Sequence, residues 1–244
     1  ISQRDTGWIQ IYANDHQQII DSVIKAFALA EEVMIPVMVC YDGYILSHTH
    51  MPFDVPEERL VDEFLPPYLP PYSLDPADPA NLNTVTMPDV RPDVRGDTAP
   101  GYMEIRYLLH KDMLEAIPAF ERVEERFRSV FGRGSNPYIE PYRCEDADYI
   151  AVALGSLSYH LRDVVDTLRN EGVRAGVMSV HLYRPFPDEL IARALSGCSG
   201  VVVFEKALSY GYQGALCSDI KSALYRHTGE PGGRPFVVNY ILGL

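Results

Sequence analysis

The clearest hydrophobic pattern lies in the second half of the chain, where short apolar runs alternate with amphipathic stretches. Residues 149–154 form an apolar run that ends at Gly155, which predicts a buried strand. Residues 157–170 carry apolar side chains at three- and four-residue steps and stop at Gly172, which predicts a helix. Residues 173–183 are again apolar and rich in valine. Strand, helix and strand in this order predict a right-handed βαβ crossover.

The same alternation continues toward the end of the chain. Residues 187–195 and 213–227 predict two further helices, while residues 200–204 and 236–241 predict two further strands. We therefore expect a four-stranded, mostly parallel α/β sheet from about residue 147 onward.

A shorter α/β pattern lies near the beginning of the chain. Residues 14–32 predict a helix with a wide apolar face, and residues 35–40 predict a strand. Asp42 and His48 follow that strand, and ligands bind at the carboxyl ends of strands in open α/β sheets. We interpret residues 1–65 as the end of an α/β domain whose earlier strands are missing. The chain would then be the middle of a longer polypeptide.

Residues 66–146 are expected to connect the two patterns. Six prolines lie within residues 66–79, which predicts an irregular or polyproline segment. Residues 103–131 then predict a long linking helix, which Pro118 should kink or split. The predicted organisation is therefore two α/β parts, 1–65 and 147–244, joined by a connector.

Net charge, the length of apolar runs and the spacing of the cysteines argue against several classes of protein. The formal net charge of −13 argues against binding to nucleic acid or to an anionic membrane surface. No apolar run reaches the roughly 20 residues of a membrane span. The four cysteines include no C-x-x-C pair, so neither a zinc site nor an iron–sulfur cluster is expected from this chain alone. Isolated reduced cysteines are typical of a cytoplasmic protein.

Motifs of known chemistry are absent from the sequence. The loop after residues 149–154 has one glycine and lacks the G-x-G-x-x-G pattern of dinucleotide sites. P-loop, G-x-S-x-G and H-E-x-x-H patterns do not occur either. His48 and His50 lack a third ligand at motif spacing, so we expect no metal there. His48 is the better functional candidate because it follows the strand at the expected cleft.

Several segments, in matching order and spacing, resemble the alpha subunit of pyruvate:ferredoxin oxidoreductase. They are Arg-Asp-Thr-Gly-Trp at residues 4–8, Asp-Gly-Tyr-Ile-Leu-Ser-His at 42–48, Leu-Gly-Ser at 154–156, Leu-Tyr-Arg-Pro-Phe-Pro at 182–187, Glu-Lys at 205–206, and Tyr-Ile-Leu-Gly-Leu at 240–244. Related 2-oxoacid:ferredoxin oxidoreductases share the architecture. The amino-acid sequences of these segments resemble the pyruvate group more closely than the 2-oxoglutarate group.

The resemblance implies both a fold and a site. Residues 1–65 would end the domain that covers the pyrimidine ring of thiamine diphosphate, and residues 147–244 would form a domain similar to the transketolase C-terminal domain. Arg4, Thr6, Asp42 and His48 would lie at the edge of the active site, as positioning groups. No residue of this chain is assigned a catalytic role, and the cofactor-binding residues stay unassigned.

The resemblance also implies an activity. The family oxidatively decarboxylates a 2-oxoacid on thiamine diphosphate with Mg²⁺, transfers the acyl group to coenzyme A, and passes electrons through 4Fe-4S clusters to ferredoxin. The clusters and the diphosphate-magnesium motif would belong to other subunits or domains of the same enzyme, so the isolated chain is expected to be inactive. Two alternatives stay open, namely a non-catalytic subunit-docking module and an E1-beta-like chain of a 2-oxoacid dehydrogenase.

Overall fold

The computed structural model describes residues 2–69, 102–227 and 233–243, in which eight strands and seven helices are found. In chain order the elements are β1 (Ile9–Tyr12), α1 (His16–Val33), β2 (Val37–Cys40), α2 (Ile45–His48), α3 (Glu58–Phe64), α4 (Tyr102–Phe131), β3 (Ile139–Tyr142), β4 (Tyr149–Ala153), α5 (Ser156–Asn170), β5 (Ala175–Val180), β6 (Leu182–Arg184), α6 (Asp188–Leu195), β7 (Gly200–Glu205), α7 (Ala215–His227) and β8 (Phe236–Ile241). The predicted α/β class is confirmed.

The larger sheet has five strands in the order β3-β5-β4-β7-β8. Strands β5, β4, β7 and β8 are parallel, as the βαβ pattern predicted, while β3 pairs with β5 in the antiparallel direction. The four strands predicted from residue 147 onward are all present, and the sheet gains a fifth strand, β3, from residues before 147 that were expected to be a connector. Pro141 lies within β3, and proline is tolerated in strands at the edge of a sheet.

The smaller sheet has three strands in the order β2-β1-β6. β1 is parallel to β2, and β6 runs antiparallel to β1. The apolar run at residues 173–183, predicted as one strand, is therefore two, because the chain leaves the larger sheet after Val180 and joins the smaller sheet at Leu182. This crossing ties the two sheets together.

The long linking helix α4 is continuous from Tyr102 to Phe131, so Pro118 does not split it. The second half of α4 packs into the core and against α3. Phe120 and Phe127 are buried in the core, and the Phe127 ring meets the Phe64 ring of α3 edge-on, with centroids 5.5 Å apart. Of the proline-rich segment at 66–79, residues 70–79 lie outside the described residues.

The core is shared between the two sheets. Ile9 and Leu29 from the smaller sheet and its helix belong to the same buried cluster as Val152 and Val203 from the larger sheet. On the larger sheet, α5 packs against one face through Val165, and α6 and α7 pack against the opposite face. No described helix is both long and apolar enough to cross a membrane.

Candidate functional site

A cavity of about 360 Å³ opens between the two sheets. It lies where β2, β4 and β7 end, which is the edge at which open α/β sheets bind ligands. A volume in this range suits a small organic ligand. The lining residues are Gln3, Arg4, Gln10, Tyr12, Met38, Tyr41, Asp42, Leu154, Gly155, Ser156, Leu157, Tyr183, Phe204, Glu205, Lys206, Ala207 and Ala215.

Asp42 presents a carboxylate oxygen beside this cavity. Its Oδ2 accepts hydrogen bonds from the backbone N–H groups of Ile45 at 3.0 Å and Leu46 at 3.3 Å. Its Oδ1 is buried and has no hydrogen-bond partner among the described residues. Burial raises the pKa of Asp42, but the Ser156 hydroxyl and the backbone N–H groups lower it more, so the net shift is downward. Asp42 is therefore an ionised acceptor at the cavity wall, beside Ser156.

Arg4 supplies a cation to the same cavity. Its Nε and Nη2 donate to Oδ2 of Asp5 at 3.0 and 2.8 Å. This contact with Asp5 is the main reason that the pKa of Arg4 is raised. Arg184 lies 3.6 Å from the other oxygen of Asp5 and 2.8 Å from Asp219. Cations and carboxylates thus alternate from Arg4 through Asp5 and Arg184 to Asp219, and Asp5 orients the Arg4 guanidinium.

Glu205, at the end of β7, has a structural role. Its buried carboxylate accepts from the backbone N–H groups of Leu216 at 2.9 Å and Cys217 at 3.1 Å, in the first turn of α7. The Asn239 side chain donates a third hydrogen bond at 3.0 Å. Burial raises the pKa of Glu205 although these donors lower it. Glu205 therefore caps α7, and the neighbouring Lys206 is left exposed at the cavity mouth.

The structure brings two of the four predicted site residues together at this cavity. Arg4 and Asp42 line it. The Thr6 hydroxyl instead donates to the Gln3 carbonyl at 2.9 Å, and its side chain does not line the cavity. His48 is exposed, with its ring stacked on Tyr44 at 5.9 Å between centroids.

Other lining residues were not predicted as site residues. Tyr12 and Gln10 lie on β1, which is too short for its hydrophobic pattern to reveal. Ser156 could have been found, because it follows the strand at 149–154 directly, where a ligand edge is expected. No group of three histidine, cysteine or acidic side chains able to hold a metal exists within residues 2–69, 102–227 and 233–243.

Two family models match the chain. Residues 1–113 match the model described as pyruvate flavodoxin/ferredoxin oxidoreductase, thiamine diphosphate-binding. Residues 147–244 match the model described as pyruvate:ferredoxin oxidoreductase core domain II. The cavity is lined by residues from both matched segments.

Relatives of known name match over most of the chain. The pyruvate synthase subunit PorA of Methanothermobacter thermautotrophicus is 41% identical over 226 residues, which cover 92% of this chain and 56% of that protein. The ketoisovalerate oxidoreductase subunit VorA of Pyrococcus abyssi is 37% identical, covering 100% of this chain and 58% of that protein. The chain therefore spans somewhat more than half the length of these relatives.

A solved structure shares the fold. The 2-oxoglutarate:ferredoxin oxidoreductase from Magnetococcus marinus superposes with a TM-score of 0.53 at 17% identity, covering 97% of this chain and 40% of that chain. This likeness concerns the fold alone. The two family matches and the PorA and VorA relatives lead to one assignment: the chain belongs to the alpha-subunit family of the 2-oxoacid:ferredoxin oxidoreductases.

Proposed function

We propose that this chain is part of the alpha subunit of a thiamine-diphosphate-dependent enzyme that oxidatively decarboxylates a 2-oxoacid, with pyruvate as the first candidate. In this enzyme the acyl group passes to coenzyme A and the electrons pass through 4Fe-4S clusters to ferredoxin. The observation that carries the proposal is the match of both segments, 1–113 and 147–244, to models of this one family. The names of the relatives, pyruvate synthase and ketoisovalerate oxidoreductase, support the substrate class.

The chain's own residues suit a positioning role. Thiamine diphosphate supplies the carbanion chemistry of such enzymes, and the protein supplies orientation and electrostatics. An ionised Asp42 is suited to accept a hydrogen bond from a bound group, and Arg4 stays cationic. Neither group is suited to exchange protons near neutral pH, since the pKa of Asp42 is lowered and that of Arg4 is raised.

The partners follow from the family. In the proposed enzyme, Mg²⁺ and the 4Fe-4S clusters would be bound by other domains or subunits. The word "subunit" in the relatives' names supports a multisubunit assembly. Among the described residues, no specific contact favours the docking-module or E1-beta-like alternatives over this proposal.

The test is an anaerobic assay of the complete enzyme that contains this chain. Purified enzyme is mixed with coenzyme A, thiamine diphosphate and a low-potential dye, and dye reduction is compared for pyruvate, 3-methyl-2-oxobutanoate and 2-oxoglutarate. We expect pyruvate to give the highest kcat/KM. No reduction with any 2-oxoacid, from enzyme with its clusters intact, would contradict the proposal.

The same assay tests the cavity. Asp42→Asn removes the charge and keeps the shape, and we expect kcat/KM to fall about tenfold or more, the order expected for one charge-assisted hydrogen bond. Asp54→Asn is the matched control, because Asp54 is exposed and lies outside the cavity. Equal kcat/KM for the two variants would show that Asp42 does not contribute to the site.

A further inference from the structure

A second pocket, of about 320 Å³, lies between the first half of α4 and two segments beside the smaller sheet. Residues 4–7, which precede β1, and residues 184–186, at the end of β6, form one wall, and α4 forms the other. The two walls touch at Gly7, because a Cβ there would lie only 2.8 Å from Cδ2 of Leu109 on α4. The pocket is therefore enclosed by elements that already pack against each other.

Cationic side chains dominate the lining of this pocket. Arg106 and His110 come from α4, where they are four residues apart and so lie on the same face of the helix. Arg4 and Arg184 come from the opposite wall. Asp5 is the one acidic side chain in the described lining. The whole chain has a formal net charge of −13, so three arginines around one carboxylate run against its composition.

Two of the arginines are already paired within the protein. Arg184, whose side chain is 14% exposed, donates to Asp219 at 2.8 Å and to the Tyr183 carbonyl at 2.7 Å. Arg4 donates to Asp5, and this contact lowers the pKa of Asp5, which is therefore a carboxylate at neutral pH. Asp5 and Asp219 thus balance the charges of Arg4 and Arg184.

Arg106 is the cation that stays unbalanced. It makes no hydrogen bond or ion pair with residues 2–69, 102–227 or 233–243. His110, one turn further along α4, has no such partner in the same ranges. With the other two arginines paired, the pocket keeps one excess positive charge, and a second when His110 is protonated. A negatively charged ligand would compensate this excess.

Apolar side chains complete the lining. Leu109 and Met113 of α4 are partly buried against the core and present their remaining surface to the pocket. Phe186 lies on the opposite wall, with its ring centroid 5.8 Å from the guanidinium carbon of Arg184. The volume falls at the lower end of the range for small organic ligands. The lining therefore suits a ligand that has an apolar body as well as a charged group.

We propose that this pocket binds a small organic anion, with a carboxylate or phosphate group on Arg106 and an apolar body against Leu109 and Phe186. The guanidinium group presents paired N–H donors that match the oxygens of either anion. Arg4 lines both this pocket and the larger cavity, so the bound anion lies next to the proposed 2-oxoacid site. The inference concerns binding alone and requires no chemical step.

The test is isothermal titration calorimetry on the complete enzyme, saturated with thiamine diphosphate and free of 2-oxoacid. The probes are phenyl phosphate, phenylacetate and the neutral benzyl alcohol, which share an aromatic ring. We expect at least one of the two anions to bind roughly tenfold or more tightly than benzyl alcohol, the order of one charge-assisted hydrogen bond. The tighter of the two distinguishes phosphate from carboxylate recognition. No binding of either anion at millimolar concentration, or equal affinity for benzyl alcohol, overturns the proposal.

A variant and a matched control locate the binding. Arg106→Gln removes the unbalanced cation from an exposed side chain, and the affinity for the anion should fall roughly tenfold. Lys111→Gln removes the same charge from an exposed residue of α4 outside the pocket, and the affinity should stay unchanged. Equal affinities of the two variants overturn the proposal. Because the titrations contain no 2-oxoacid, a failure of the proposed reaction would leave their outcome unaffected.

Discussion

Removing the cation of the buried Lys25–Glu124 pair should strongly destabilise the junction between α1 and α4. The Lys25 ammonium lies 2.8 Å from Oε2 of Glu124, and the two side chains are 11% and 1% exposed. Oε1 of Glu124 also accepts from the Ser135 N–H at 2.9 Å, so the carboxylate cannot turn toward water without breaking another bond. Lys25→Met keeps the aliphatic stem and leaves Glu124 buried without its counter-charge.

The expected cost is about 3–5 kcal/mol, the range seen when one partner of a buried ion pair is removed. The lost contact between the Lys25 ammonium and the Phe127 ring, 5.1 Å from the ring centroid, adds about 0.5–2 kcal/mol at most. For a chain of this size each kcal/mol lowers Tm by roughly 2–4 °C, so the Tm should fall by roughly 6–20 °C.

The assay is thermal and urea unfolding of the full-length subunit. The control is Arg193→Met, which breaks an exposed pair with Glu189 whose side chains are 78% and 69% exposed, and it should cost about 0.5 kcal/mol or less. Lys25→Met combined with Glu124→Gln should recover most of the loss, since no buried charge is left. A cost below about 1 kcal/mol for Lys25→Met, or no recovery in the double variant, would refute the reasoning.

Two further predictions concern a glycine and a carboxylate. Gly214→Ala should lower the free energy of unfolding in urea by about 1–3 kcal/mol, because its Cβ would collide with the hydrogen-bonded Glu205 carboxylate, whereas Gly197→Ala, with open space around it, should be nearly neutral. Glu140, whose pKa is lowered to about 2, should contribute stability at pH values above its unfolded pKa of about 4.5, and this contribution should disappear as the pH falls toward 2. Acid titration of Tm should therefore be less steep in Glu140→Gln, and an unchanged slope would contradict this account.

The hydrophobic pattern predicts the long elements because their own side chains carry the signal. Helix α5 and strands β4, β7 and β8 were found within a few residues of their bounds from apolar spacing alone. Strands β1, β3 and β6 contain three or four residues each, too few to show an alternation. Their pairing partners lie far away in the chain, so only the folded structure reveals them.

The residues of the candidate site also divide into those that the sequence predicts and those that only the folded structure reveals. Asp42 could be predicted because it follows a strand, and Arg4 because its segment resembles a family motif. The hydrogen bonds of Asn14 with Glu140 and with Ser179 could not be predicted, because they join residues more than a hundred positions apart. His181, the residue between β5 and β6, lies inside an apolar run, and nothing in its sequence context distinguishes the crossing from one sheet to the other from the middle of a strand.

The central claim is that this chain works within a 2-oxoacid-decarboxylating enzyme. The most direct measurement is the release of labelled CO₂ from carboxyl-labelled pyruvate by the complete enzyme, with and without thiamine diphosphate. The account predicts release that requires thiamine diphosphate and that Asp42→Asn slows. Background release under both conditions, for pyruvate and for branched-chain 2-oxoacids alike, would contradict it.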